Sequence, residues 1–287
     1  MMTMNRILFV PVFLVLAALL TACDKEATLV ASAPQEFYDF PQGDNAYDAE
    51  FETFYQQYGS YVLYRFSDND FRWNGTTRLL YMARQAEPAA IAPAFDFIKK
   101  ACLQDYSEER LQSLLPFKML LSAGVHQLTA NANQPTGYDT VASNLGVYSG
   151  LNQVTFGYAN AQLGSLTASQ KLDLQASLHR AFFTQALSRA KFEVPAAFVA
   201  LFDATGNSAT AYRSLGFLEY QRSYTATLDF LMFVYAALRY NQQDFSTRYL
   251  GSTLDPSGRT ALKYALIRTY LSEEWGLAIN EINNRAL

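Results

Sequence analysis

Residues able to bind metal or carry acid–base chemistry are scarce in this chain. Its 287 residues include two histidines and two cysteines. Zinc sites and most nucleophilic sites need His, Cys, Asp or Glu side chains brought together. His126 and His179 are far apart in sequence, and so are Cys23 and Cys102. This excludes a disulfide scaffold and a cysteine-based zinc module, and it leaves the main functional question to be decided by the two histidines.

Charge and composition exclude further classes of protein. The sequence has 26 acidic and 22 basic side chains, a formal net charge of -4, which leaves no basic excess for binding nucleic acid. A mean hydropathy of -0.05 excludes a polytopic membrane protein. Aromatic residues make up 15% of the chain. They could stack on sugars, but most fall at helical or alternating positions, which favours core packing.

The first 23 residues have the layout of a bacterial secretion signal. Arg6 precedes an apolar run over residues 7–20, and residues 20–23 read Leu-Thr-Ala-Cys. This ending resembles the lipobox of bacterial lipoproteins, in which the signal is cut before the cysteine and the cysteine receives lipid. The resemblance implies a signal peptide over residues 1–22 and a membrane anchor on Cys23. An ordinary signal peptide with an incidental cysteine is the alternative.

The residues after Cys23 predict a tether and a location. Residues 23–45 contain Pro34, Pro41 and Gly43 with no sustained periodicity, which indicates a lipidated tether ahead of one domain over residues 46–287. Asp24 and Glu26 resemble export signals that send lipoproteins of Bacteroidetes-type bacteria to the cell surface. We therefore expect an outer-membrane lipoprotein on the periplasmic or cell-surface face, with retention at the inner leaflet left open.

The pattern of elements predicts an α+β domain with a small N-terminal sheet and a mostly helical C-terminal half. Alternating or apolar runs predict strands over residues 61–66, 117–122 and 154–158. Apolar periodicity predicts helices over residues 47–58, 89–103, 107–115, 167–190, 223–240 and 258–275. Thr167 and Gln170 predict a capping box at the start of the longest helix. Asp68, Asn69 and Asp70 predict a turn rather than a calcium loop.

The same periodicity predicts which helix faces are buried. Cys102 is expected in the core beside Phe97, Ile98 and Ala101, as a small hydrophobe rather than a reactive thiol. In the helix over residues 223–240 the predicted apolar face holds Leu228, Leu231, Met232, Tyr235 and Leu238. In the helix over residues 258–275 the predicted inward residues are Leu262, Leu266, Tyr270 and Leu271.

Five short segments, in this order and spacing, resemble a known family. They are Tyr-Val-Leu-Tyr-Arg-Phe at 61–66, Leu-Leu-Ser-Ala-Gly at 120–124, Asn-Gln-Val-Thr-Phe at 152–156, Leu-His-Arg-Ala-Phe-Phe-Thr at 178–184 and Tyr-Leu-Ser-Glu-Glu-Trp-Gly at 270–276. The chain thereby resembles, over about residues 47–285, the proposed zinc-binding metallopeptidase lipoproteins of Bacteroidetes, also described as substrate-import-associated zinc metallohydrolases. The resemblance implies a zincin-like single domain with its zinc helix at about residues 168–190.

The chemistry of that family requires His-Glu-x-x-His on the zinc helix, where two histidines bind zinc and the glutamate activates water. In the preferred register Arg180 and Thr184 occupy the histidine positions and Ala181 the glutamate position. The alternative register begins at His179 and places Arg180 at the glutamate position and Phe183 at the second histidine. The family's acidic pair on the following helix is reduced to Asp229. Neither register supplies the ligands, and a guanidinium would repel a dication.

These residues lead to one preferred hypothesis and two alternatives. In the preferred hypothesis the protein holds no metal and no cofactor and does not catalyse a reaction. It acts as a binding or scaffolding component of a surface nutrient-uptake system. Its partners would be the membrane, outer-membrane uptake proteins and a peptide or glycan ligand. The alternatives are an active zinc metallohydrolase with a non-standard ligand set and an unrelated ligand-binding lipoprotein.

The resemblance also places the degenerate site. If a substrate cleft persists, Arg180, Thr184 and Asp229 would lie near its floor, with an Arg180–Asp229 ion pair in the volume of the metal. His179, a lone histidine beside apolar residues, is expected to be a hydrogen-bonded structural residue.

Overall fold

The computed structural model describes residues 37–72 and 80–287. The predicted signal peptide, the lipidation site Cys23 and the tether as far as residue 36 lie outside the described residues, so those assignments stay predictions. One compact unit spans Phe40–Leu287. No helix in the described ranges is both long enough and apolar enough to cross a membrane.

The described residues form ten α-helices and six strands. In chain order these are α1 (Asp48–Tyr58), β1 (Tyr61–Leu63), α2 (Asp68–Arg72), β2 (Tyr81–Gln85), α3 (Ile91–Ala101), α4 (Glu108–Leu114), β3 (Lys118–Ala130), β4 (Tyr138–Asn144), β5 (Val147–Gly150), β6 (Gln153–Phe156), α5 (Ala168–Ser188), α6 (Ala196–Val199), α7 (Ala226–Arg239), α8 (Gln242–Tyr249), α9 (Arg259–Glu273) and α10 (Ile279–Ile282). Short 3₁₀ turns at Pro88–Ala90, Leu103–Asp105 and Ala161–Ser165 connect them. The predicted α+β organisation is confirmed.

The long strand β3 organises the sheet. Its first half runs parallel to β1 and β6, with Leu120 opposite both Leu63 and Thr155. Strand β5 pairs antiparallel with β6, which gives the order β1-β3-β6-β5. The second half of β3 pairs antiparallel with β2 and β4. A strand buried on both faces reads as a continuous apolar run. This explains why the start of β3 could be predicted from its sequence.

Helix α5 begins where the capping signal predicted. The Thr167 hydroxyl accepts a hydrogen bond from the Gln170 backbone N–H, and the Gln170 side chain accepts one from the Thr167 backbone N–H. Further along, Gln185 donates to Ser149 Oγ at 2.8 Å and to the Gly150 carbonyl at 2.6 Å. These bonds fix α5 against β5, so a long helix lies beside the sheet as the family resemblance implied.

Three strands and four helices differ from the sequence predictions, the helices being α2, α6, α8 and α10. Strands β2, β4 and β5 were not predicted, because their side chains are half-buried or exposed and lack apolar alternation. Asp68–Arg72 forms α2 instead of the predicted turn. The Ser67 hydroxyl accepts from the Asp70 N–H at 3.2 Å, and the Asp70 carboxylate accepts from the Ser67 N–H at 2.6 Å. This reciprocal cap starts a helix at residues that could equally form a turn.

The predicted apolar faces are only partly correct. Cys102 is buried as expected, and burial raises the pKa of its thiol. In α7 the fully buried residues include Phe230, Phe233 and Val234, whereas Leu228 is exposed. In α9 Leu262 is 58% exposed while the neighbouring Lys263 is completely buried. The predicted face of α9 is therefore wrong at Leu262, because the buried ion pair of Lys263 turns that side of the helix toward the core, whereas Leu271 is buried and Leu266 and Tyr270 pack against the core as predicted.

Residues 40–45, which the sequence analysis placed in the tether, pack on the compact unit. Phe40 lies over Tyr61 with ring centroids 5.5 Å apart. The Gln42 side chain accepts from the Tyr64 N–H at 3.0 Å and donates to the Arg65 carbonyl at 2.8 Å. The body therefore begins at Phe40.

Candidate functional site

The helix that the resemblance assigns to zinc, α5, presents no metal ligand on the expected face. Arg180 is exposed and Thr184 half-buried, and the Thr184 hydroxyl donates to the Arg180 carbonyl at 2.7 Å. Residues four apart share a helix face, so these two side chains lie on one face of α5. In the register that the resemblance implies, this is the face of the histidine pair, and Ala181, which is buried, takes the glutamate position. In that register a cation, a methyl group and a hydroxyl replace the two ligands and the base.

Arg180 packs against helix α7. Its guanidinium carbon lies 5.1 Å from the centre of the Tyr235 ring on α7. No ion pair or hydrogen bond of its guanidinium occurs in the described part of the chain. Burial by surrounding atoms lowers the pKa of Arg180, and the nearby Tyr235 and Glu219 oppose that shift. Arg180 is thus a cation in a partly desolvated setting.

His179 turns away from that face into the core. It is fully buried, and its Nδ1 lies 2.6 Å from the Tyr106 hydroxyl. Its Nε2 lies 3.4 Å from Asp105 Oδ2. Arg285 donates to both oxygens of the same carboxylate, from Nη1 to Oδ2 at 2.9 Å and from Nη2 to Oδ1. His179 therefore belongs to a buried network with Tyr106, Asp105 and Arg285, and both of its ring nitrogens face protein groups.

The network sets the charge state of Asp105. Burial would raise the pKa of this carboxyl, but hydrogen bonds and charge from His179 and Arg285 outweigh burial and hold the pKa below its ordinary value. Burial raises the pKa of the Tyr106 hydroxyl strongly. Asp105 is consequently an anion enclosed by donors, an arrangement that stabilises the core and leaves no open coordination position.

Asp229 is also buried in protein contacts. It is 0% exposed, and its Oδ2 accepts from Lys263 Nζ at 2.7 Å. Lys263 donates to the Gly216 carbonyl at 3.1 Å and lies 4.5 Å from the centre of the Phe217 ring. Gly216 has a φ of 75°, and a Cβ there would lie 2.5 Å from that of Arg259. Only glycine fits this turn, which brings the carbonyl to the ammonium.

Burial penalises both charges of this pair. It raises the pKa of Asp229 to about 6, against the opposing effect of Lys263. It lowers the pKa of Lys263, against the opposing effect of Asp229. Asp229 Oδ1 has no hydrogen-bond partner. The Lys263 ammonium thus supplies the positive charge beside this carboxylate, where the family resemblance implies a metal.

The predicted Arg180–Asp229 ion pair is wrong. Asp229 pairs with Lys263 of α9, and Arg180 stacks on Tyr235 instead. On α7 it is Phe230 that faces α5, through Phe183 at 6.5 Å between ring centroids. The next residue along a helix points about 100° away, so Asp229 faces α9 rather than the Arg180 face. Arg180 and Thr184 share one face, and Asp229 does not join them.

The donor set does not fit a catalytic zinc ion. Among residues 37–72 and 80–287 no group of three or more His, Cys, Asp or Glu side chains is placed to hold a metal. His126 lies on β3, where its Nδ1 contacts the Val141 carbonyl at 3.1 Å. His179 and Asp229 are each engaged by protein partners. The residues present therefore do not form the tetrahedral site that zinc prefers.

Sequence reasoning missed Lys263 and the Asp105–Arg285 bond. A signal for Lys263 did exist, since Thr260, Tyr264, Ile267 and Leu271 form a helical stripe that brackets it. No signal pointed to Arg285, because its partner lies 180 residues away.

The fold is similar to that of a solved structure. A proposed zinc-binding metallo-peptidase from Bacteroides caccae superposes with a TM-score of 0.53 and 13% identity, covering 84% of this chain and 92% of that chain. No family model and no curated protein matches the sequence. At this identity the likeness concerns the fold alone, and it confirms a metallopeptidase-like α+β architecture.

Proposed function

We propose that this metallopeptidase-like fold is a non-catalytic, lipid-anchored binding component of the bacterial cell envelope. One feature carries the proposal: the long helix α5 lies beside the sheet, and in the register that the family resemblance implies, Arg180, Ala181 and Thr184 take the places of the zinc ligands and the general base. A guanidinium at a ligand position repels a dication, and neither alanine nor a hydroxyl bound to backbone replaces His or Glu.

The remaining donors support the same conclusion. Asp229 is neutralised by Lys263, and His179 is enclosed by Tyr106 and Asp105. Releasing either group for a metal would break a buried network, at a cost of several kcal/mol. Binding or scaffolding within a surface uptake system is the role we propose, with the peptidase-like body as the recognition module.

Metal content tests this proposal. We expect residues 24–287, purified and dialysed against trace zinc, to hold substoichiometric zinc by elemental analysis and to leave a protein substrate such as casein uncleaved. The variant Arg180→His/Thr184→His serves as a positive control, because it places two imidazoles four residues apart on the exposed face and should gain zinc. Stoichiometric, tightly held zinc in the natural sequence, with hydrolysis, would establish the active metallohydrolase instead.

The anchor has a separate test. Cys23→Ser removes the thiol that would carry lipid, so we expect the full chain to move from the membrane pellet to the soluble fraction after cell lysis. Cys102→Ala is the matched control, since that thiol is buried and should leave the protein in the pellet. Membrane association that survives Cys23→Ser would reject the lipid anchor on this residue.

A further inference from the structure

A small cavity lined by charged side chains lies on the surface of the helical half. Its volume is about 260 Å³, and its lining includes Arg213, Arg248, Glu219 and Thr260. Apolar groups of Phe217, Leu218 and Leu254 and the ring of Tyr249 complete the wall. We call this the arginine cavity. Its volume suits a single amino-acid residue rather than a chain of sugars.

Among residues 37–72 and 80–287, no carboxylate forms an ion pair with either arginine of the cavity. Arg248 lies over the Tyr240 ring at 4.9 Å, and Arg213 stacks on Tyr212 at 5.5 Å and donates from Nε to its hydroxyl. By contrast, Arg239 and Arg285 elsewhere in the fold are held by carboxylates. Stacking covers the guanidinium face and leaves in-plane N–H donors for a planar anion such as a carboxylate.

A buried hydroxyl provides independent support. Thr260 lines the cavity, is 1% exposed, and its Oγ1 has no hydrogen-bond partner. A buried polar atom without a partner costs free energy, and such atoms are uncommon in native structures. A ligand in the cavity would supply the missing hydrogen-bond partner of this hydroxyl. Thr260 would then be a third polar contact of the ligand, beside the two arginines.

Glu219 narrows the chemical class of the ligand. Its carboxylate also lies within electrostatic range of Arg180 and Tyr249. A negative group in the wall repels dense polyanions such as nucleic acid, but it accepts a hydrogen bond from an amide N–H or an ammonium. The tyrosine of the wall, Tyr249, packs against the rings of Tyr240 and Phe245, at 5.9 Å and 5.0 Å between ring centroids, which disfavours its stacking on a sugar. A group that combines a carboxylate with N–H donors is part of a peptide.

We propose that the arginine cavity binds a carboxylate-bearing residue of a peptide, with Arg213 and Arg248 on the carboxylate, Thr260 as a further hydrogen-bond partner and Glu219 on a peptide N–H. The carboxylate comes either from an Asp or Glu side chain or from a peptide C-terminus. This inference rests on the proposed binding function and gives it a ligand class.

Binding of short labelled peptides tests the cavity. Fluorescein-Gly-Gly-Ala-Asp is compared with its C-terminal amide, and both with the amide of fluorescein-Gly-Gly-Ala-Asn, by fluorescence anisotropy on residues 24–287. The label adds the same charge to all three peptides. We expect the first peptide to bind, and the third, which has neither a terminal nor a side-chain carboxylate, to bind at least tenfold more weakly than the first. The second peptide keeps only the side-chain carboxylate, so its affinity shows which of the two carboxylates the cavity holds. Tighter binding of trigalacturonate than of any carboxylated peptide would overturn the peptide assignment.

Variants locate the site. Arg248→Gln and Arg213→Gln should each weaken binding about tenfold, as expected for a charge-assisted hydrogen bond. Thr260→Val should weaken it about threefold to tenfold without lowering the thermal midpoint, because the hydroxyl has no partner within the protein. Arg110→Gln is the matched control, since this exposed arginine stacks on Trp275 at 5.1 Å and does not line the cavity.

The outcomes separate this inference from the proposed function. The arginine cavity is overturned as the site if the Asn amide peptide, whose peptide part has no carboxylate, binds as tightly as the first peptide. It is also overturned if Arg110→Gln and Arg248→Gln weaken binding equally. Cleavage of a bound peptide overturns the non-catalytic function while leaving the cavity in place. Failure of every peptide to bind at millimolar concentration overturns the cavity and leaves the non-catalytic function standing.

Discussion

Replacing Lys263 with methionine should destabilise the fold by about 3–5 kcal/mol, because it leaves the Asp229 carboxylate buried without its cation. Lys263 and Asp229 are both fully buried and joined at 2.7 Å. The measurement is the free energy of unfolding in urea, followed by circular dichroism at pH 7. Lys99→Met is the matched control: Lys99 pairs with Glu50 and Asp96 at the surface, so its loss should cost less than about 1 kcal/mol.

A double variant completes this test. Lys263→Met/Asp229→Leu removes both charges, so it should recover most of the stability that Lys263→Met loses. A double variant no more stable than Lys263→Met would show that packing around the ammonium, rather than the unpaired carboxylate, causes the loss.

The pH dependence of the same pair has a defined sign. Burial raises the pKa of Asp229 to about 6 from an ordinary value of 3.8. Between these values the folded state holds a proton that the unfolded state has released. The contribution of this shift to stability is therefore complete below pH of about 4 and is lost as the pH rises through about 6. The natural protein should lose stability relative to the double variant across that window.

Asp105→Ala should be the second severe change, with a loss of about 3 kcal/mol or more. It leaves His179 without its carboxylate in the core and removes the anion that holds Arg285. The measurement is again urea unfolding. Asp96→Ala is the control, since Asp96 is exposed and pairs with Lys99 at 2.8 Å, and it should cost less than about 1 kcal/mol.

The pH profile distinguishes charge from packing at Asp105. Because partners hold the pKa of Asp105 below its ordinary value of 3.8, its contribution is complete above that pH and is lost as the pH falls through the lower folded value. The difference in stability between the natural protein and Asp105→Ala should therefore narrow below pH 4. A difference that stays constant with pH would assign the loss to a cavity instead of a charge.

Local signals in the sequence were enough for six of the ten described helices. The Thr167 and Gln170 cap, the run at the start of β3 and helix α3, which ends at Ala101 next to Cys102, each depend on neighbours within a few residues. Strands β2 and β4 could not be predicted in this way, because their partner is the distant half of β3. Pairing with a long central strand, rather than their own hydrophobic pattern, holds them in place.

For the candidate site, the shared face of Arg180 and Thr184 was predictable, and the contacts of the other residues were not. The spacing on α5 correctly put Arg180 and Thr184 on one face, since that follows from helix geometry alone. The stripe of buried residues around Lys263 pointed to its burial, but its pairing with Asp229 was not predictable, because a lysine in the core contradicts the usual preference of that residue for water. Lys263 is tolerated there through Asp229, the Gly216 carbonyl and the Phe217 ring, contacts that only the tertiary structure assembles.

The Asp105–Arg285 contact joins residues 180 positions apart, and it has a consequence for the order of folding. Gln175 likewise binds the Ile282 carbonyl, and Asn283 binds the Tyr240 carbonyl. Residues 282–285 thus complete hydrogen bonds for three earlier parts of the chain. A nascent chain that ends before Arg285 holds His179 and Asp105 without that partner, and closing so long a loop is slow. The compact unit should therefore reach its native stability only after these late residues have been translated.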